Sequence, residues 1–98
     1  MFTVEFKDKK WALLETDEAH KTGLPEAIIQ SCRRKLNFLR NAKDERDLWN
    51  FKSLRYEKLK GDREGQRSIR LNDQWRVLLE VSSSNPPTIT ILDIEDYH

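Results

Sequence analysis

Cysteine is almost absent from this chain of 98 residues: Cys32 stands alone, so no intrachain disulfide can form. A secreted domain this small would want one, which points to a reducing, cytoplasmic setting. Uninterrupted apolar runs are short, far below the ~20 residues a membrane span needs, and no charged-then-apolar signal segment opens the chain. Neither a membrane nor export is expected. Histidine is equally scarce. His20 and His98 lie at opposite ends, with no i, i+4 pair and no Cys/His cluster, so no metal is expected. Glycine is down to three residues, and Gly61 and Gly65 lack the Gly-Lys-Ser/Thr ending of a nucleotide loop, so they read as turn residues. No cofactor is called for.

Charge, by contrast, is plentiful, at 36% of residues, while the apolar share is a lean 37%. A chain of this length has room for one core, and a single domain over 1–98 is expected. The net charge of +1 hides three blocks. Residues 1–30 carry four Lys/Arg against six Asp/Glu, residues 31–79 carry fourteen against seven, and residues 80–98 carry none against four. The basic middle is a usable footprint for a phosphate backbone, although a solvated helix face gives the same count.

Phe2, Val4 and Phe6 alternate with polar residues and predict a strand. Asp8 caps a short helical stretch through Trp11 and Leu14, and Thr16 to Thr22 reads as a loop. Ile28, Cys32, Leu36 and Leu39 recur at helical spacing and predict the main helix over about Pro25 to Ala42. Cys32 on that stripe reads as a small buried hydrophobe rather than a nucleophile. Arg33, Arg34, Lys35, Arg40 and Lys43 on the other face read first as a solvated face and second as a contact for RNA or a partner. Asp44 caps one more turn, with Leu48, Trp49 and Phe51 expected to fold back onto the core.

From Tyr56 the pattern turns to strands: Tyr56 to Leu59, Gln66 to Leu71, Trp75 to Val81 and Thr88 to Ile94, an antiparallel meander. If Asn72, Asp73 and Gln74 form the loop of the central hairpin, Ile69 faces Val77 and Arg70 faces Arg76. A slip by one residue would mix core and solvent faces. The preferred register places one face on the long helix and presents Arg70 and Arg76 on the other. Like charges opposite one another cost stability unless an anion lies between them or they splay into water. With Glu57, Lys58, Lys60, Arg63 and Arg67 nearby, that face is expected to form a groove for RNA phosphates. The closing Asp96-Tyr97-His98 adds a carboxylate, a phenol and an imidazole of ordinary pKa about 6.5. RNA is cut without a metal when a base takes the 2'-OH proton, an acid protonates the leaving 5'-oxygen and cations stabilise the phosphorane. All three roles can be filled here.

The segments Leu59-Lys60-Gly61-Asp62-Arg63-Glu64-Gly65 and Ser68-Ile69-Arg70-Leu71-Asn72-Asp73-Gln74-Trp75-Arg76, with the Asp96-Tyr97-His98 tail, resemble the HigB-type toxins of the RelE/ParE superfamily. The resemblance implies an α+β, RelE-like fold: a mainly antiparallel five-stranded sheet with N-terminal helices on one face. It further implies a toxin that enters the A site of the 70S ribosome and cleaves mRNA there, leaving a 2',3'-cyclic phosphate, and that is neutralised by a HigA-type helix-turn-helix antitoxin. By position, Lys60, Arg76, Asp96, Tyr97 and His98 resemble the family's catalytic group. Glu57 stands where some members have a histidine, so the general base is left among Glu57, Asp96 and His98. Two rival readings remain: a ParE-like poison of DNA gyrase on the same fold, and a non-catalytic module that binds nucleic acid or antitoxin.

Overall fold

A computed structural model describes residues 2–84 and 86–96. The strands are β1 (Thr3–Phe6), β2 (Glu57–Lys58), β3 (Arg67–Arg70), β4 (Trp75–Ser82) and β5 (Thr88–Asp96), and the helices are α1 (Lys9–Ala12), α2 (Glu26–Asn41) and α3 (Glu45–Asn50). The strands form one five-stranded sheet in the order β1-β5-β4-β3-β2. The last four make the expected antiparallel meander, but β1 pairs parallel with β5, Val4 against Ile89 and Phe6 against Ile91. The sheet is therefore mixed. Parallel pairing needs a long connection, and here it passes through the helical segment between residues 9 and 54 and then through β2, β3 and β4.

Helix α2 is the expected main helix, with Pro25 and Ala42 as its caps. Ile28, Ile29, Cys32, Leu36 and Leu39 are buried on its apolar stripe and join Ile69, Val77, Leu79, Ile89 and Ile91 from the sheet. Burying a side chain of this size contributes about 1.5 to 3 kcal/mol, so this layer dominates the stability. Burial pushes the Cys32 thiol up to about 12, which leaves it protonated and inert, as expected of a core residue. Ser31 on the same helix is also buried, and its hydroxyl donates to the Leu71 carbonyl at 2.9 Å, fastening α2 to the tip of the β3–β4 hairpin.

Asp8 and Asp44 cap α1 and α3 as expected, each accepting a backbone N–H two residues on, at 2.9 Å. Three expectations are corrected or refined. The stretch from Thr16 to Thr22 is not plain loop but contains a 3-10 turn, Ala19–Thr22, closed by the Thr22 hydroxyl donating to Ala19 O. Leu48 reaches the core fully, whereas Trp49 and Phe51, 45% and 41% exposed, cover its rim: the Trp49 ring meets the buried Tyr56 ring edge-on at 4.6 Å and the Phe51 ring tilts against Phe38 at 4.4 Å. The basic face of α2 is also partly engaged within the fold. Arg33 donates to the carbonyls of Leu14 and Thr16 at 2.6 and 2.8 Å, and Arg40 grips Glu15 with both terminal nitrogens.

Among the described residues, no helix is long and apolar enough to cross a membrane.

Candidate functional site

The β3–β4 hairpin takes the register expected for a loop of Asn72, Asp73 and Gln74: Ile69 faces Val77 and Arg70 faces Arg76. The Asn72 carboxamide oxygen fixes the turn by accepting the backbone N–H groups of Gln74 and Trp75 at 2.8 and 2.7 Å. Asn is suited to this, since its side chain imitates a turn carbonyl. With Ile69, Leu71, Val77 and Leu79 committed to the core, period 2 sends Ser68, Arg70, Arg76 and Leu78 to the opposite face.

Strand β5 completes that face by means of an irregularity. Leu78 pairs with Asp93 but Leu79 with Ile91, so Leu92 is an extra residue, and the alternation of β5 flips there. Ile89 and Ile91 point into the core before the bulge and Ile94 after it, which puts Glu95 on the open face beside Arg76. Arg70, Arg76 and Glu95 thus form one cross-strand row over three neighbouring strands.

The anion that the facing arginines require is built into the protein twice. Asp73 forms an ion pair with Arg70, whose Nε also donates to Asn72 O at 3.0 Å. Glu95 receives both terminal nitrogens of Arg63, at 2.9 and 3.0 Å, and lies 4.0 Å from an Arg76 terminal nitrogen. The Arg63 hydrogen bonds hold the Glu95 carboxyl below its ordinary value against the opposing effect of burial, with Arg76 adding to the shift. The ion-paired Arg63 guanidinium is in turn raised.

Beside this row lies a depression of about 400 Å³, lined by Arg55, Glu57, Ser68, Arg70, Trp75 and Arg76 among others. Glu57 pairs with Ser68 and so shares the open face, and with Asp73 of the hairpin loop it gives the depression two carboxylates beside the guanidinium groups of Arg55, Arg70 and Arg76. Arg55 was missed by the sequence reading. It takes a left-handed conformation, φ 51°, at the end of the 3-10 turn Lys52–Leu54, a strained position for a non-glycine residue that no spacing pattern signals. Glu95 was missed as well: the last strand was expected to end at Ile94 but runs to Asp96, and alternation without the bulge would turn Glu95 to the core face.

Two expected members lie elsewhere. Arg67 and Lys58 face one another across β2 and β3, one residue out of phase with Ser68 and Glu57, and so take the helix side of the sheet. There Arg67 Nε meets Glu45 of α3 at 3.2 Å, and the Tyr56 hydroxyl donates to the same carboxylate at 2.6 Å. Burial pushes the Glu45 carboxyl up, but these two bonds outweigh it and leave it below the ordinary value. Arg67 is engaged with the helical layer rather than with the groove.

Lys60 is exposed at the head of the turn Gly61–Arg63. Gly61 and Gly65 bracket this turn at φ 68° and 90°, angles that side chains resist, which is why glycine stands at both. Asp96 ends β5 opposite Trp75 and accepts from the Gln74 side chain at 2.9 Å, so it borders the hairpin loop. Tyr97 and His98, expected in the acid-base group, lie outside the described residues.

A family model described as "RelE-like toxin of type II toxin-antitoxin system HigB" matches residues 4–98. Toxin HigB-1 of Vibrio cholerae serotype O1 is 38% identical over 79 residues, which cover 79% of this chain and 81% of that protein. Two solved structures share the fold. The YoeB/ParE toxin from Agrobacterium tumefaciens has a TM-score of 0.66 at 16% identity, over 99% of this chain and 100% of its own. A chain of the heterotetrameric YoeB-YefM toxin-antitoxin complex from Staphylococcus aureus has a TM-score of 0.63 at 17% identity, over 100% of this chain and 98% of its own. A RelE-like sheet with this hairpin, matched by the family model over nearly its whole length, defines the class, and the chain belongs to the HigB toxins of type II toxin-antitoxin systems.

Proposed function

We propose that the protein is a ribosome-dependent, metal-independent mRNA endonuclease that acts in the cytoplasm and is held in check by a helix-turn-helix antitoxin of HigA type. The observation that carries this reading is the row Arg70-Arg76-Glu95 beside a depression wide enough for a phosphodiester, with Glu57 on the same face. Arg76 takes the transition-state role, offering a guanidinium to the charge that builds on the scissile phosphate. Lys60 joins Arg76 in the catalytic group as a second cation, Arg70 meets a flanking phosphate, and Asp96, Tyr97 and His98 supply the acid-base group, with the base drawn from Glu57, Asp96 and His98. Few strong acid-base groups suit a site whose substrate is presented in attack geometry by the 70S ribosome, since positioning alone supplies much of the rate.

Family membership and the resemblance of the Asp96-Tyr97-His98 tail support the nuclease reading. Primer extension on cellular messenger after brief induction tests it. Breaks in phase with codons, together with cleavage of ribosome-bound messenger by purified protein freed of metal by EDTA dialysis before it is added to intact ribosomes, are the expected result. DNA double-strand breaks with intact messenger would establish gyrase poisoning instead, and growth arrest with neither lesion would leave a binding module.

A further inference from the structure

Arg76 has an electrostatic problem that the proposed chemistry makes acute. Its neighbour across β3 is another arginine, and like charges directly opposite push their flexible ends apart. A guanidinium that stabilises a transition state must instead be fixed before the substrate arrives. Its neighbour on the other side, across β5, is Glu95, at 4.0 Å, and Glu95 is itself immobilised by the two-pronged grip of Arg63 from the turn before β3. A planar fork on a carboxylate fixes orientation as well as distance. The bulge at Leu92 is what brings Glu95 to this face, and Asp93, Arg63 and Arg76 are the charged groups whose fields reach Glu95 or its partner.

We propose that Glu95 is a positioning residue for RNA cleavage: anchored by Arg63, it holds the Arg76 guanidinium in its working orientation at the rim of the depression. This rests on the nuclease reading above. Arg63 then acts through Glu95 rather than as a phosphate ligand of its own, which revises the role expected for it from sequence.

The test is steady-state and single-turnover cleavage of ribosome-bound messenger by the full chain, alongside Glu95→Gln, Glu95→Asp, Arg63→Gln and the double variant Glu95→Gln/Arg63→Gln, each with its melting temperature. Glu95→Gln should lower kcat by about 10- to 100-fold, the range that loss of positioning produces. Its KM should stay level or fall, because one negative charge has left a phosphate-binding face. Glu95→Asp should recover part of kcat. Arg63→Gln should lower kcat in the same direction, and the double variant should match Glu95→Gln rather than multiply the two losses. If Glu95→Gln also melts early, Arg63→Gln carries the test, since it releases the grip while leaving β5 untouched. Wild-type kcat in both variants overturns the proposal, as does a raised KM for Arg63→Gln with multiplicative losses in the double variant. A wild-type protein that cleaves nothing overturns the nuclease reading and this inference with it, whereas a cleaving wild type with indifferent variants overturns this inference alone.

Discussion

Replacing Arg76 by alanine isolates the chemical role of the site with little disturbance to the fold. The Arg76 side chain is 20% exposed, enclosed enough for its charge to act in a medium well below the dielectric constant of water. At about 4 Å and an effective dielectric constant near 20, its Coulomb attraction for a full phosphorane charge is about 4 kcal/mol. Part of that attraction is already present for the ground-state phosphate, and only the increment accelerates the reaction. Loss of one preorganised contact of this kind costs about 10² to 10³ in rate, so Arg76→Ala should lower kcat by that factor with a smaller change in KM. Arg76→Lys should keep the charge but lose the fork and recover only part. Glu95 keeps both bonds from Arg63 in either variant, and the melting temperature is measured alongside so that any loss of packing around the Arg76 stem is separated from the loss of rate. The assay is single-turnover cleavage of ribosome-bound messenger. A rate for Arg76→Ala within about threefold of wild type would refute a role in the transition state.

Four further expectations follow from the geometry. Arg70→Glu should weaken ribosome or RNA binding and flatten the slope of log affinity against log salt by about one, whereas Arg67→Glu should leave the slope unchanged and cost stability through Glu45. Equal slopes for the two variants would put both on one face. Ser31→Ala should cost about 1 to 3 kcal/mol in denaturant unfolding, because the buried Leu71 carbonyl loses its donor. Glu45 and Glu95 both have folded-state pKa values held below the unfolded value, so their stabilisation is present above the ordinary carboxylate range and is lost as pH falls through the lowered values. Tyr56→Phe with Arg67→Gln should make unfolding measurably less sensitive to acid. Deleting Tyr97 and His98 should abolish toxicity in growth assays, because the phenol and imidazole of the acid-base group go with them, while antitoxin binding in pull-downs survives.

The sequence made the hairpin legible because its own chemistry leaves one consistent register. Only a loop of Asn72, Asp73 and Gln74 puts Ile69 against Val77, and the price of that choice, arginine against arginine, was readable in the same step. The helix α2 was legible for a similar reason, an apolar stripe bounded by Pro25. What escaped was whatever depends on partners distant in the chain. The parallel pairing of Thr3–Phe6 leaves no local mark, since both strand orientations show the same alternation. The bulge at Leu92 inverts the face of Glu95 without any glycine to announce it. Arg67 was placed in the groove by proximity in sequence, although its odd spacing from Arg70 already assigned it to the other side of the strand.

The pairing of β1 with β5 also bears on when the toxin can come into being. Thr3 meets Thr88, so one of the earliest segments to leave the ribosome has no strand to join until one of the last has emerged. Closing so long a loop is entropically slow and cannot be replaced by a local surrogate. The same late strand carries Glu95 and Asp96. Strand β1 therefore waits for nearly the whole sheet to be made before its own seam can close, and the strand it waits for also carries two of the carboxylates that border the site.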